Sequence, residues 1–283
     1  GKDYKKMAQT RGFKPVPMGL EVSVQVSNKV KRDVSRNVIA VLPGTDLKDE
    51  YIIYSAHWDH LGIGRPVNND SIYNGAIDNA SGTASLFAIA EAFKASGPSR
   101  RSIVFLATTG EEQGLLGSAY YAENPLFPPD KTVANINMDA LNSWGPMKDL
   151  TIMGYGQSEL DQYAKTEAEK MGRYILPDLH PENGYFYRAD HFNFAKIGIP
   201  ALYAKGSYEG MELSIEKIRE LNEYYDTYMY HKPSDEYDRE TMDIGGIQFD
   251  AQLFFQLGYR LSNEDYFPKW SDKSEFKAIR EGN

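Results

Sequence analysis

Residues Ser102–Glu112, SIVFLATTGEE, join an unbroken apolar run to two adjacent acids. The run Ile103–Ala107 is typical of a strand that is buried on both faces of a sheet. Glu111 and Glu112 follow shortly after it. Two neighbouring carboxylates at the end of a core strand cost free energy, because like charges repel and burial disfavours both. A nearby cation is the simplest explanation, so the pair predicts a metal site.

Predicted strands and helices alternate on both sides of this stretch. Strands are predicted at Glu21–Val26, Asn37–Leu42, Tyr51–Ala56, Val133–Met138, Leu150–Met153 and Ala201–Ala204. Helices are predicted at Asp3–Arg11, Thr83–Ala95, Leu115–Ala122, Ser158–Met171, Ser214–Tyr224 and Ile244–Leu261. The alternation indicates a single α/β domain, 1–283, with a mixed, mostly parallel central sheet flanked by helices. Residues 1–34 are expected to lead into it, 61–77 to form a polar loop and 264–283 to form a peripheral tail.

Composition excludes several classes of protein. The net charge of −9 argues against a nucleic-acid binder, which usually has a basic face. A chain without cysteine can hold neither disulfides nor thiolate metal sites. No apolar run approaches the ~20 residues that a membrane span needs. The first residues lack the apolar core of a signal peptide, so any targeting segment was removed or never present.

Histidines and acids follow the predicted strands or lie in loops between elements. Six such residues could carry chemistry: His57, Asp78, Glu111, Glu112, Asp139 and His231. Sites in open α/β sheets lie at the carboxyl ends of the strands. Imidazole nitrogens and carboxylate oxygens suit Zn²⁺. Each residue also has an ordinary interpretation: an acid could cap a helix or favour its dipole, and a histidine could lie on the surface.

Five motifs in this order resemble peptidase family M28, the co-catalytic zinc aminopeptidases. They are HWDH at 57–60, IDNASG at 77–82, TTGEEQGLLGS at 108–118, NMD at 137–139 and YHKPSD at 230–235. The resemblance covers roughly residues 35–262. It implies a zinc-exopeptidase fold of the phosphorylase/hydrolase-like type. It also implies an enzyme with two Zn²⁺ per chain that hydrolyses the N-terminal peptide bond of peptides.

The same resemblance suggests a ligand set. His57 and Asp139 would bind one zinc. Glu112 and His231 would bind the other, and Asp78 would bridge the two. Paired ions of this kind lie ~3.5–4 Å apart and share a water or hydroxide that attacks the scissile carbonyl.

Catalytic roles also follow from the resemblance. Glu111 matches the general base, which takes a proton from that water and passes it to the leaving amine. Tyr230 matches a tyrosine whose hydroxyl stabilises the oxyanion in some members, although its ring could instead belong to a packed tyrosine cluster. Arg188 could contact the substrate.

Supporting roles are implied for residues around the ligands. Asp59 would orient a metal-bound imidazole, and the Asp78–Asn79 peptide bond would be cis, as it is in the family. Asp190 and His191 would lie near the site as supporting or structural residues. We expect His60 and His180 to be structural or surface residues.

The sequence leaves three other functions open. A single-zinc glutaminyl cyclase-like transferase, a carboxypeptidase-type relative and a non-catalytic binding module share the fold. An acidic rim suits a cationic amine, which favours aminopeptidase action. Longer bacterial members carry a signal peptide and a protease-associated domain, so we expect a periplasmic or secreted protein, and this chain could be a catalytic fragment. The sequence indicates neither the oligomeric state nor the preferred N-terminal residue.

Overall fold

The structure is a computed structural model that describes residues 3–30 and 32–282. The chain divides into two compact units, residues 1–34 and 35–283. In the first unit, helix α1 (Tyr4–Ala8) lies within the predicted helix Asp3–Arg11. The predicted strand Glu21–Val26 is wrong, because these residues are exposed and have no strand conformation. Alternating valines form a strand only where a second backbone pairs with them, and none of the described residues does so.

The described part of the second unit contains nine strands. They are β1 (Val38–Leu42), β2 (Leu47–His57), β3 (Gly62–Val67), β4 (Asp70–Tyr73), β5 (Arg101–Thr108), β6 (Thr132–Asn137), β7 (Asp149–Ile152), β8 (Tyr174–Pro177) and β9 (Ala201–Lys205). Seven form one sheet in the order β1-β5-β2-β6-β9-β7-β8, and β3 and β4 form a separate hairpin. The pairs β1/β5 and β7/β9 are antiparallel and the other pairs of the large sheet are parallel. The predicted mixed, mostly parallel sheet is therefore confirmed.

Helices cover both faces of the large sheet. The α-helices of the second unit are α2 (Ser81–Ser96), α3 (Leu116–Glu123), α4 (Leu160–Lys170), α5 (His191–Ala195), α6 (Ile215–Tyr224), α7 (Gly245–Asn263) and α8 (Lys277–Glu281). On one face, Tyr54 of β2 packs with Phe93 of α2 and Phe254 of α7. On the other face, Ile53 packs with Phe194 of α5. Among the described helices, none is both long and apolar enough to cross a membrane.

The register of the central strands determines where the site lies. Strand β2 pairs in parallel with β5 so that His57 lies beside Thr108, and with β6 so that Ser55 lies beside Asn137. The carboxyl ends of these three strands therefore meet at one edge of the sheet. The residues that directly follow these three strands in the sequence therefore lie at that edge.

Two parts of the fold differ from the expectation. The predicted polar loop 61–77 contains the hairpin of β3 and β4, and its turn is formed by Asn68 and Asn69, both at positive φ. Asparagine tolerates this conformation better than most residues, which suits a two-residue hairpin turn. The segment after α7 contributes two buried aromatic side chains, Trp270 and Phe276, which pack with Phe186.

Asp161, near the start of α4, allows a test of how burial couples stability to pH. Burial raises the pKa of its carboxyl from 3.8 to about 6, although the Gly156 amide donates a hydrogen bond to it. A carboxyl whose folded-state pKa is raised stabilises the fold when protonated, so this contribution is lost as the pH rises through about 6.

Asp161→Asn keeps a hydrogen-bond acceptor for Gly156 without a charge to bury. We expect its free energy of unfolding to exceed that of the wild type by up to ~3 kcal/mol at pH 8. The difference should vanish near pH 4, where the wild-type carboxyl is protonated in the folded state. Urea unfolding at both pH values measures this, and a difference that does not change with pH would contradict the prediction.

Candidate metal centre

The structure brings together all five predicted metal ligands at the carboxyl edge of the sheet. His57 is the last residue of β2, Glu112 follows β5, and Asp139 follows β6. Asp78 lies in the irregular turn Ala76–Ala80 that precedes α2. His231 follows the helical turn Tyr225–Met229 and has a positive φ. Each of the five ligands thus lies on a different segment of the chain, which explains why no two of them are close in sequence.

The ligands form two groups that share one carboxylate. Nε2 of His57 lies 3.2 Å from Oδ1 of Asp78 and 3.3 Å from Oδ1 of Asp139. Nε2 of His231 lies 3.4 Å from Oδ2 of Asp78 and 3.1 Å from Oε2 of Glu112. The two oxygens of Asp78 therefore face different histidines, as expected of a bridging carboxylate.

These distances fit metal ligation. Two ligands on one tetrahedral zinc, with bonds of about 2.0–2.2 Å, are about 3.3–3.6 Å apart. The four imidazole–carboxylate distances, 3.1–3.4 Å, are close to that value. The donors are nitrogen and oxygen, and the side chains of His57, Asp78 and Glu112 are almost fully buried. The residues present can therefore hold two divalent ions.

The protonation of the set shows how strongly it favours positive charge. Burial opposes the charging of His57, but the Asp139 and Asp78 carboxylates raise its pKa above its ordinary value. Contacts with Asp78 and Glu112 raise the pKa of His231 to about 10. Burial works against ionisation of Asp78, yet His231 and His57 hold its pKa below the ordinary value. Protons on the imidazoles thus supply positive charge that metal ions would supply instead.

Glu111 differs from its neighbour. Its side chain forms no ion pair with a described residue, and it lines the same cleft as Asp78 and Asp139. Burial raises the pKa of Glu111 to about 9, and the Asp139 carboxylate adds to the rise. A cation nearby would favour its ionised form.

Asp59 connects the first histidine to the acidic pair. Its backbone carbonyl lies 3.0 Å from Nδ1 of His57, whereas its carboxylate is 3.8 Å from that nitrogen. The carboxylate instead accepts hydrogen bonds from the backbone amides of Glu111 and Glu112, at 3.1 and 3.4 Å. Asp59 therefore contacts the imidazole chiefly through its backbone, where the sequence predicted its carboxylate in that role.

The turn that carries Asp78 is held by side-chain hydrogen bonds. The Asp78–Asn79 peptide bond is cis, as the resemblance implies. The Asn79 amide donates to the Met138 carbonyl and accepts from the backbone amides of Gly82 and Ala140. Asn79 thus ties the turn that carries Asp78 to the segment that carries Asp139.

Asp190 and His191 lie in the interior and are not ligands. The hydroxyls of Thr108 and Ser118 each donate to the Asp190 carboxylate at 2.5 Å. Burial raises the pKa of Asp190 to about 6. His191 is fully buried between the rings of Phe186 and Tyr203. Asp190 thus links β5 and α3 to the start of α5, and His191 packs against Phe186 and Tyr203 of β9. The supporting or structural role expected of both residues stays a prediction.

A cleft of about 1270 Å³ opens beside the ligands. Its walls include Asp78, Glu111, Glu112, Asp139, Arg188, Tyr230 and His231. The Tyr230 ring stacks on His231 with ring centroids 3.8 Å apart, and burial raises the pKa of its hydroxyl to about 12. The Arg188 guanidinium is exposed and lies 5.6 Å from the centre of the Tyr185 ring. Both side chains thus line the cleft. The oxyanion role of Tyr230 and the substrate contact of Arg188 stay predictions.

Two residues at the site were not predicted as part of it. His60, expected to be structural or on the surface, is almost buried, and its Nδ1 lies 2.7 Å from Oε1 of Glu112. Asp235 is fully buried, and its carboxylate accepts the backbone amides of Ile77 and Asp78 at 2.9 and 3.1 Å. Both stand inside motifs that the sequence singled out, HWDH and YHKPSD, so position within a motif was the available signal. His180, in contrast, is exposed and pairs with Glu182, as expected of a surface residue.

Sequence comparison connects this site with known proteins. Residues 37–248 match the sequence profile of peptidase family M28. Aminopeptidase NAALADL1 from Mus musculus is 36% identical over 137 residues, which are 45% of this chain and 17% of the relative. Aminopeptidase YwaD from Bacillus subtilis is 33% identical over 170 residues, which are 58% of this chain and 34% of the relative. The chain therefore covers a minor part of the length of both relatives.

Solved structures share the fold. The zinc aminopeptidase BSAP from Bacillus subtilis superposes with a TM-score of 0.60 at 23% identity, covering 85% of this chain and 52% of the other. The glutaminyl cyclase of Porphyromonas gingivalis superposes with a TM-score of 0.58 at 18% identity, covering 80% of this chain and 77% of the other. At these identities the likeness shows the fold alone.

Proposed function

The chain belongs to peptidase family M28, and from that premise we propose that it is a two-zinc aminopeptidase acting on peptides. The observation that carries this proposal is the placement of the Asp78 carboxylate. Its two oxygens lie 3.2 and 3.4 Å from the ring nitrogens of different histidines, His57 and His231. A carboxylate in this position is suited to bridge two ions.

The chain's own residues divide the work of hydrolysis. When bound, zinc ions in this donor set would lower the pKa of a shared water and polarise the scissile carbonyl. Glu111 forms no ion pair with a described residue, so its carboxylate is available to accept a proton from the attacking water. The same carboxylate then delivers the proton to the leaving amine.

The cleft favours a substrate with a free amine. An α-amine is cationic below about pH 8, and four acids that line the cleft are not assigned to zinc and can attract it: Glu111, Asp178, Glu223 and Asp226. Of these, Glu111 lies next to the metal ligand Glu112. Arg188, at the exposed wall, can donate to a carbonyl farther along the peptide. We therefore assign the N-terminal end of the peptide to the metal centre.

Metal content measured beside hydrolysis tests the proposal. We expect two zinc ions per chain and release of the N-terminal residue from free peptides, but not from the same peptides with an acetylated N-terminus. One zinc per chain with ammonia release from an N-terminal glutamine peptide would instead favour the cyclase. Two bound zinc ions without hydrolysis of a broad peptide panel would favour a binding module.

Tyr230→Phe tests the oxyanion role of the tyrosine hydroxyl. Because burial raises its pKa to about 12, the hydroxyl stays protonated and can donate to the developing oxyanion at neutral pH. We expect kcat to fall by about 10²-fold with little change in KM. The phenyl ring can still stack on His231, so zinc content should not change. An unchanged kcat would leave Tyr230 as a packing residue only.

A further inference from the structure

His60 is a buried histidine at the metal centre for which the proposed mechanism has no use. Its side chain is 7% exposed, and its Nδ1 lies 2.7 Å from Oε1 of Glu112, which is 3% exposed. The contact is short but not aligned as a hydrogen bond, and neither atom has another hydrogen-bond partner among the described residues. A buried polar atom without a partner is costly, so each of the two atoms depends on the other.

The distance between His60 and Glu112 distinguishes two possible roles for His60: zinc ligand, or hydrogen-bond donor to a zinc ligand. Two ligands on one tetrahedral zinc are about 3.3–3.6 Å apart, whereas a charge-assisted hydrogen bond measures about 2.7–2.9 Å. The pairs formed by His57 and His231 measure 3.1–3.4 Å and fit the first case. His60, Asp78 and Glu112 lie close enough together to hold an ion, but the 2.7 Å between Nδ1 of His60 and Oε1 of Glu112 matches the length of the second case.

Packing fixes the position of the His60 ring. Gly75 has a φ of +67°, and a Cβ atom added there would lie 2.6 Å from Cγ of His60. On another side, the ring meets the His231 ring at a centroid distance of 5.9 Å and an angle of 70°. The imidazole therefore lies between the backbone at Gly75 and the His231 ring, and it can restrain a more flexible neighbour.

We propose that His60 is a positioning residue for the second zinc site and acts through Glu112. A donor at Nδ1 of His60, 2.7 Å from Oε1 of Glu112, would hold that oxygen and leave Oε2, 3.1 Å from Nε2 of His231, free to bind the second ion. The inference rests on the two-zinc site proposed above. Without this contact the Glu112 carboxylate keeps only its contact with His231, so the second site should bind zinc more weakly while the site of His57 and Asp139 is unaffected.

Stepwise zinc titration of the metal-free full chain tests this role without an activity assay. We expect the wild type to bind two ions and His60→Ala to weaken the second step by about 10–100-fold, with the first step unchanged. His60→Asn is the decisive variant, because an asparagine amide can place a donor near the position of Nδ1 but its nitrogen does not ligate zinc. We expect it to restore most of the lost affinity. His180→Ala, which removes an exposed histidine, is the matched control.

Each other outcome has a distinct meaning. If the wild type binds one ion, the two-zinc function itself fails. If it binds two and His60→Ala leaves the second step unchanged, only the role of His60 is overturned. A His60→Asn variant as weak as His60→Ala would make His60 a ligand and overturn the positioning role. Equal weakening of both steps would show that His60 supports the fold instead of Glu112, which also overturns it.

Discussion

Glu111→Ala is expected to lower kcat by about 10²–10⁴-fold while zinc content stays at the wild-type value. The carboxylate forms no ion pair with His57 or His231, the histidines proposed to bind zinc, so its loss should remove a proton carrier and leave the ligand set intact. Because substrate binding does not need this proton transfer, KM should change little. Initial rates on a free peptide, with zinc measured in the same preparation, give both quantities.

Glu112→Ala is the matched control for this experiment. It removes the neighbouring carboxylate, whose Oε2 lies 3.1 Å from Nε2 of His231, and should therefore lose zinc from the second site. The two variants separate base from ligand although the residues are adjacent. A Glu111→Ala enzyme that keeps wild-type kcat would exclude Glu111 as the base, and one that loses zinc would make it a ligand.

The parts of the fold that the sequence predicts well are those where burial leaves a one-dimensional pattern. The apolar run of β5 predicts a strand buried on both faces. The apolar runs of its neighbours β2 and β6 predict buried strands for the same reason. The hairpin of β3 and β4 was missed because β3 is exposed along its whole length and has no apolar face. The strand predicted at Glu21–Val26 is wrong for the opposite reason. Its residues have the alternating polar and apolar pattern, but no described strand pairs with them.

The sequence predicts which residue types form the site and that they lie at the carboxyl ends of the strands. Parallel strands place His57, Glu112 and Asp139 at one edge, so their convergence follows from topology. The roles of His60 and Asp235 could not be predicted in this way. They depend on which atoms meet in the folded chain: a carboxylate oxygen of Glu112 for His60, and two backbone amides for Asp235. Neither motif letters nor periodicity carries that information.

Asp235 holds the backbone at Asp78, the proposed bridging ligand, and its removal should have a large effect. Its carboxylate is fully buried, with Oδ1 accepting from the Ile77 amide and Oδ2 from the Asp78 amide. In Asp235→Ala both amides lose their acceptor, at about 1–3 kcal/mol each. We expect the free energy of unfolding to fall by about 2–5 kcal/mol, and zinc affinity at both steps to fall by about 10–100-fold. Both steps should respond because Asp78 belongs to both groups of ligands.

Two further variants show whether the hydrogen bonds are the cause. Asp235→Asn keeps one acceptor oxygen, so its losses should lie between those of the wild type and Asp235→Ala. Glu236→Ala removes the adjacent, exposed acid, and we expect its unfolding free energy to stay within about 0.5 kcal/mol of the wild type. Urea unfolding and zinc titration give the two measurements. Asp235→Ala could lose stability and still bind zinc as tightly as the wild type. In that case the two hydrogen bonds stabilise the fold, and zinc binding does not depend on them.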